Sequence, residues 1–495
     1  MINKAIGHLR QDFGNLHITT VVFWLAIITL FLRFPFFFRD YIDRDESTFI
    51  LVAQSWVDGN LPYTQLWDVK PPLTFLFFAG IIQIFGKSLF IIRFFGALLV
   101  IISSFFTYKI GVQIATKKVA FLSAIGSVVL QSSFGSLQGV MSEHITMAFF
   151  MPALYLVLKY RTVSTVFLAG ILMGISVMVK LNMAYAILFV GIYLLYDRFR
   201  NNSYSQGLLG AMAYGSGIII VILLTILPYY LNDLVMLWYK SVIKAPLEYT
   251  TARRYSILEM APFLILISAF FIWTWKRKYI DFKDSSLQLL LVAIIGVVLS
   301  FIKGGRINGH YLIQLYPILL PLVFIALGRL QLLKKFIWKP VYFIIILLIP
   351  IESYVESVNV ISNKFERGTF FNGEGISVPK YIQEHDLETE NILFLGYHIG
   401  YWVLGENPPT KSATHPSNIC KDEMFAAYDN PRKTAMEELR YIMESVRPKT
   451  IVTRKNRRVF DKEQLEENKY IDAYLVAHYK ALATVEKAEI FQRLD

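Results

Sequence analysis

Apolar runs long enough to cross a bilayer recur from Ile18 to about Tyr354, and this pattern leaves few folds open. About 20 apolar residues in a helix match the ~30 Å hydrocarbon core of a membrane. Such runs lie at Ile18–Phe38 and Leu89–Ile114, and near 119–136, 144–158, 163–179, 183–196, 208–230, 258–275, 286–302, 312–328 and 336–354. An ambiguous one occupies Pro71–Phe85. The chain is 55% hydrophobic, above the roughly 45–50% of soluble domains. Beyond 354 the composition becomes ordinary. Two parts are therefore expected, a polytopic α-helical membrane domain over 1–354 and a C-terminal domain over 355–495. The latter predicts helices over 378–385 and 432–446, and strands at 391–396, 450–453, 473–480 and 483–492. Such alternation suggests a small α/β layer.

Charge orients the chain. Short cytoplasmic loops are enriched in Lys and Arg. If Pro71–Phe85 does not cross, one side receives Lys117/Lys118, Lys159/Arg161, Arg198/Arg200, Lys276/Arg277/Lys278 and Arg329/Lys334/Lys335. If it does cross, every cluster moves outside. About fifteen residues is also short for the hydrocarbon core, so this run reads as interfacial or re-entrant. About eleven spans follow, with the N-terminus inside and the C-terminal domain extracytoplasmic. The first run lacks a small-residue cleavage site and is expected to remain as an anchor. The net charge of +12 is thus topological, and nucleic-acid binding is a poor reading of it. Cys420 is the single cysteine, which excludes an internal disulfide.

Against this background the loop Tyr41–Leu73 stands out, with Asp43, Arg44, Asp45, Glu46, Asp58, Asp68 and Lys70. The pattern DESTFILVAQSWVDG sets Phe49, Val52, Ala53 and Trp56 on one helical face. Asp45 near the start of that helix is either a general base, held ionised by the helix dipole and a nearby cation, or only a cap. Glu46 stands beside it. In WDVKPPL the two prolines stiffen the turn, and Lys70 either snorkels or meets a lipid phosphate. Other outer polar residues break the inside rule: Glu143 and His144, Lys180, and Arg306, His310 and Tyr311. Ionisable groups at membrane depth are costly and usually functional. Lys180 needs an anionic partner, for which Asp45 is the candidate, while Ser142 and Glu143 have a capping role as the plain alternative. Arg suits phosphate. Together these groups suit a substrate with an anionic head and a long apolar tail.

The motifs resemble those of the GT-C membrane glycosyltransferases, in the branches of the dolichyl-phosphate-mannose protein mannosyltransferases and the lipid A aminoarabinose transferases. The residues that carry the resemblance are Asp45-Glu46, Gly59 to Tyr63, Lys70-Pro71-Pro72-Leu73, the Glu143 segment SEHITMAFF, Gly174 to Lys180, and Arg306, His310 and Tyr311. It covers roughly residues 20–330. It implies a GT-C-like fold and an inverting transfer of sugar from a polyprenyl-phosphate donor to a glycan, lipid or protein hydroxyl, at the outer face of the cytoplasmic membrane. Asp45, Glu46 and Glu143 are the implied catalytic acids. Tyr63, Asp68, Lys70, His144, Lys180, Arg306, His310 and Tyr311 are the implied substrate contacts, with Lys70 and Arg306 on the departing phosphate. Where the aminoarabinose branch tends to carry Glu before the Lys, Val69 stands here and Asp68 lies one residue earlier. The resemblance leaves a divalent metal open as cofactor, with no ligand set in this sequence. The C-terminal domain matches no motif.

Two other classes fit a polytopic chain. A lipid-linked sugar transporter would carry midplane charges, yet such proteins often show symmetric halves, and no internal symmetry is visible. An assembly protein would not need the acid loop.

Overall fold

The structure, a computed structural model, describes residues 17–160, 162–252, 257–305, 307–330 and 348–494. Among them, five helices are long and apolar enough to cross a membrane: Ile18–Phe38, Leu89–Ile114, Tyr204–Tyr230, Leu258–Lys276 and Ser285–Gly304. The chain is a multi-pass membrane protein. Side chains such as Leu224, Leu266 and Trp275 stand exposed on these helices, as residues facing lipid do. Other expected runs form shorter helices, and a 14-residue helix such as Lys117–Leu130 spans only about 21 Å. Helix length alone therefore does not reach the expected eleven. Pro72–Phe85 is likewise a 14-residue helix. The run at 336–354 lies mostly outside the described residues, as do Arg161, Lys334 and Lys335.

The chain divides into two compact units. The first gathers residues up to Pro35, Arg93–Thr225 and Arg253–Val355. Its helices are labelled α1 (Ile18–Arg33), α4 (Leu89–Ile114, from Arg93), α5 (Lys117–Leu130), α6 (Ser142–Lys159), α7 (Val163–Val179), α8 (Ala184–Arg200), α9 (Tyr204–Tyr230, to Thr225), α10 (Ala261–Lys276), α11 (Ser285–Gly304) and α12 (Tyr316–Arg329). Val21, Leu25 and Leu32 of α1, Val100 and Tyr108 of α4, and Ala120, Phe121, Ala124 and Val128 of α5 form one apolar cluster. Thr116 caps α5 by accepting from the Val119 N–H. At the end of α1, the buried Arg33 donates to the carbonyls of Gln131, Leu137 and Gly139 at 3.2, 2.5 and 2.7 Å. A guanidinium offers five donors and tolerates burial only when they are met.

The second unit gathers Phe36–Ile92, Ile226–Ala252 and Glu356–Asp495. It contains α2 (Arg44–Val57) and α3 (Pro72–Phe85), the greater part of α13 (Ile351–Arg367), and α14 (Glu374–Glu384). Its mixed sheet has the order β1-β2-β4-β3, from β1 (Leu393–Phe394), β2 (Thr450–Arg454), β3 (Tyr479–Val485) and β4 (Ala488–Arg493). β1 and β2 are parallel, with Leu393 opposite Ile451, and the other pairs are antiparallel. One expectation is corrected here. Residues 473–478 are not strand but the end of α15 (Leu465–His478), whose buried Asn468, Ile471 and Leu475 repeat with helical spacing. The last two strands then fall at 479–485 and 488–493, joined at Glu486, which adopts φ 53°. The expected helix over 432–446 begins at Ala435 behind the Thr434 cap and widens into a π-helix over Tyr441–Val446.

Glycine sets one helix approach in the first unit. A Cβ on Gly296 of α11 would stand 2.4 Å from the Ala186 Cα of α8, so the two backbones meet where only hydrogen fits. Gly296→Val should cost about 1–3 kcal/mol or more through overpacking, read as a fall in detergent Tm. Gly210→Ala, with nothing within 4 Å of its Cβ position, should leave Tm unchanged.

Candidate active site

The acid loop folds into a site within the second unit. Asp43, in extended conformation, is the N-cap of α2, and its Oδ1 accepts from the Asp45 N–H at 2.8 Å. The capping role considered for Asp45 thus belongs to Asp43. Asp45 sits in the first turn with its carboxylate turned to partners: Oδ2 is 3.2 Å from Lys70 Nζ and Oδ1 is 3.6 Å from His415 Nε2. The Lys70 ammonium also lies 3.8 Å from Asp68 Oδ2 and 5.1 Å from the centroid of the Phe49 ring. Asp68 is buried, and so is Glu46, one position beyond Asp45.

Local chemistry fixes Lys70. Gly59 adopts φ 100° past the end of α2, and Tyr63 takes φ 73°, a left-handed conformation that a bulky residue adopts only when its surroundings hold it. Tyr63 is fully buried, stacks on Tyr229, and donates its hydroxyl to the Lys70 carbonyl at 2.5 Å. Its polar tip is therefore spent on holding Lys70. Trp67 is gripped from three sides: its N–H donates to Thr414 Oγ1 at 3.2 Å, its indole N–H to Ser241 Oγ at 2.9 Å, and Tyr428 packs edge-on. Pro72 then starts α3, where a missing N–H costs nothing.

The C-terminal segment completes the site with residues that carry no sequence motif. His415 Nδ1 accepts from the Ser417 N–H at 3.2 Å. A backbone N–H can only donate, so the neutral ring carries its proton on Nε2, facing Asp45. His398 lies beneath, its ring centroid 5.7 Å from that of His415, and its Nε2 meets the Arg44 carbonyl at 3.1 Å and Thr48 Oγ1 at 2.9 Å. Trp402 donates to Gln54 of α2 at 2.9 Å.

The remaining motif residues meet inside the first unit. The short turn between α6 and α7 brings the start of one beside the end of the other, and Thr146 Oγ1 donates to the Ser176 carbonyl at 2.7 Å. Glu143, fully buried, then stands 2.7 Å from Lys180 Nζ and 3.8 Å from His310 Nε2, with Ser142 Oγ donating to it at 3.1 Å. The Lys180 ammonium lies 4.8 Å over the Tyr311 ring. The carboxylate matching Lys180 is thus Glu143 and not Asp45, because the helix hairpin decides the neighbour and membrane level does not. His144 has both ring nitrogens engaged, Nδ1 with the Met141 N–H at 3.2 Å and Nε2 with the Gln131 carbonyl at 2.9 Å. Arg306 lies outside the described residues.

Among the described residues the donor set of the site does not fit a divalent metal. Among the described residues no three of His, Cys, Asp and Glu gather as a ligand group. The seat between Asp45 and Asp68 is taken by the Lys70 ammonium.

With this geometry in view, the chain can be set beside known proteins. ArnT from Cupriavidus metallidurans bound to undecaprenyl phosphate superposes with TM-score 0.61 at 13% identity, over 96% of this chain and 98% of that one. The fold is that of ArnT. The apo state of the same ArnT gives TM-score 0.60 at 11% identity, over 95% and 97% of the two chains. Residues 69–230 match the family model of the dolichyl-phosphate-mannose-protein mannosyltransferases. No curated protein sequence matches the chain. The matched stretch begins at Val69, beside Lys70.

The buried His398 gives a pH signature. Burial, then the neighbouring His415 and Arg44, push its pKa well below the ordinary value, so the folded ring stays neutral. Once unfolded it titrates near about 6.5. Below that pH the unfolded chain binds a proton that the folded chain refuses, so stability falls as pH drops from about 6.5 toward the folded pKa. One proton gives at most about 1.4 kcal/mol per pH unit. Melting between about pH 7 and pH 5 should show this acid slope, and His398→Gln should flatten it.

Proposed function

We propose that this protein transfers a sugar from a polyprenyl-phosphate donor to an acceptor hydroxyl, with inversion at the anomeric carbon. The carrying observation is the Asp45 carboxylate, relieved of capping by Asp43 and set 3.2 Å from the Lys70 ammonium. In this reading Asp45 removes the proton from the acceptor hydroxyl, and the oxygen attacks the anomeric carbon. The bond from that carbon to the phosphate oxygen breaks, and the polyprenyl phosphate leaves with the electron pair. Lys70 stabilises the charge that develops there, as preorganised cations do in water-poor sites. His415 Nε2 faces the second carboxylate oxygen at 3.6 Å. The undecaprenyl phosphate bound to the similarly folded ArnT supports a lipid phosphate as leaving group.

The acceptor is a glycan, a lipid or a protein hydroxyl at the outer face of the cytoplasmic membrane. The N-terminus is inside and the C-terminal segment outside, on the balance of loop charge. Thiol labelling of an Asp58→Cys variant from the inner face alone would reverse this orientation.

Asp45→Asn keeps the size of the side chain and removes its basicity. General-base catalysis is worth about 10²–10⁴-fold, so release of free polyprenyl phosphate from a glycosylated donor pool should fall on that scale. Near-normal release would move the base to Glu46 or Glu143. Lys70→Ala removes a charged hydrogen bond worth about 1.5–3 kcal/mol and should slow release roughly 10- to 100-fold. Unchanged release from a folded variant would take Lys70 out of the reaction.

A further inference from the structure

Helix α13, Ile351–Arg367, is built the wrong way round for water. A helix on a water-soluble surface hides its apolar stripe and shows its polar one. Here Ile351, Tyr354, Val355, Val358, Ile361 and Phe365 repeat at steps of three and four and form one stripe about 120° wide at 100° per residue. That stripe is outermost, with Val358 65% and Phe365 86% exposed. The opposite face carries Ser353 and Glu356, which are 2% and 4% exposed.

The buried polar face is well satisfied. Ser353 Oγ donates to the Leu32 carbonyl at 2.8 Å. Glu356 accepts from Asn372 at 3.1 Å and Asn359 at 3.3 Å, and lies 3.9 Å from Arg39. The helix is thus fixed to the protein by its polar groups, while Val355, Val358, Ile361 and Phe365 of the stripe are each more than half exposed. Its first turn lies at the end of a membrane span, where Tyr354 packs edge-on against Phe31 with ring centroids 5.9 Å apart. From Ile351 to Phe365 the stripe is about 21 Å long. A helix rising straight out of the bilayer would carry Phe365 into water. A helix lying along the interface keeps every stripe residue in lipid. At the far end Lys364 lies 5.0 Å over the Phe370 ring and donates to the Gly368 carbonyl at 2.9 Å. This places a cation at the rim of an apolar patch, as a snorkelling lysine does.

We infer that α13 is an interfacial helix that lies in the plane of the membrane, its outward stripe of Ile351 to Phe365 seated in lipid, and holds the C-terminal segment down on the bilayer surface. The partner is the bilayer itself, and the inference is independent of the transfer chemistry.

The test uses the full chain in phosphatidylethanolamine and phosphatidylglycerol vesicles, with Cys420 replaced by Ala. Nitroxide labels are placed through Val358→Cys, Ile361→Cys and Phe365→Cys on the stripe, and through Asn359→Cys and Asn363→Cys on the polar side. Collision with dissolved oxygen is compared with collision with a water-soluble nickel chelate. The expected result is an oxygen-to-nickel ratio several-fold higher at all three stripe positions than at the two polar ones. Equal ratios would overturn the inference. So would a ratio that falls to the polar value at 365, which would mean an upright helix, or dipolar broadening at the stripe, which would mean a second copy as the occupant. Should Cys420→Ala not fold, the native background serves, because Cys420 is buried and its label-free signal is checked on the unmodified chain.

Discussion

The contact between Lys70 and Asp45 is the interaction on which the second unit depends. Alone, a lysine beside a carboxylate at a surface is worth little. Here both groups are fixed from behind. Tyr63 holds the Lys70 carbonyl, Asp43 holds the Asp45 N–H, and His415, itself held by the Ser417 N–H, stands 3.6 Å from the other oxygen. A second carboxylate, Asp68, shares the same ammonium. The long side chains have thus lost their freedom before any substrate arrives, which is what orientation in a reactive site requires.

Burial of charge follows one rule in both units. Arg33 is met by three carbonyls, Lys180 by Glu143 and an aromatic face, and Glu356 by two amides and Arg39. Breaking such a buried pair by removing one partner commonly costs about 3–5 kcal/mol. Each pair therefore binds together elements far apart in the chain, and the polar residues of this apolar protein serve both its packing and its site.

The C-terminal segment shows how a region without motifs becomes part of a site. Thr414, His415 and Ser417 lie on short 3-10 turns, and His398 precedes a five-residue helix. None of these positions has a sequence period or a spacing that marks it. Their neighbours in space, Trp67, Asp45, Arg44 and Thr48, lie more than 300 residues earlier in the chain. Only the fold brings them together.

Much of the protein was legible without coordinates. Runs of about 20 apolar residues meant membrane helices, because a helix satisfies its backbone within one segment. The acid loop, its helix from Arg44 to Val57 and the turn into Pro72 were visible from spacing and proline chemistry. The α/β character of the tail was visible from alternation, although α15 took residues assigned to a strand. What the sequence could not decide was who faces whom. It offered Asp45 to Lys180 because loop charge assigned both to the outer side, whereas the α6–α7 hairpin gave Lys180 to Glu143 and the turn at Tyr63 gave Lys70 to Asp45. It left Asp45 open between base and cap, and backbone geometry gave the cap to Asp43. Periodicity reports which face of an element is apolar, since that is a local property. The partner of a charge is a long-range one, set by helix packing that no short stretch of residues encodes.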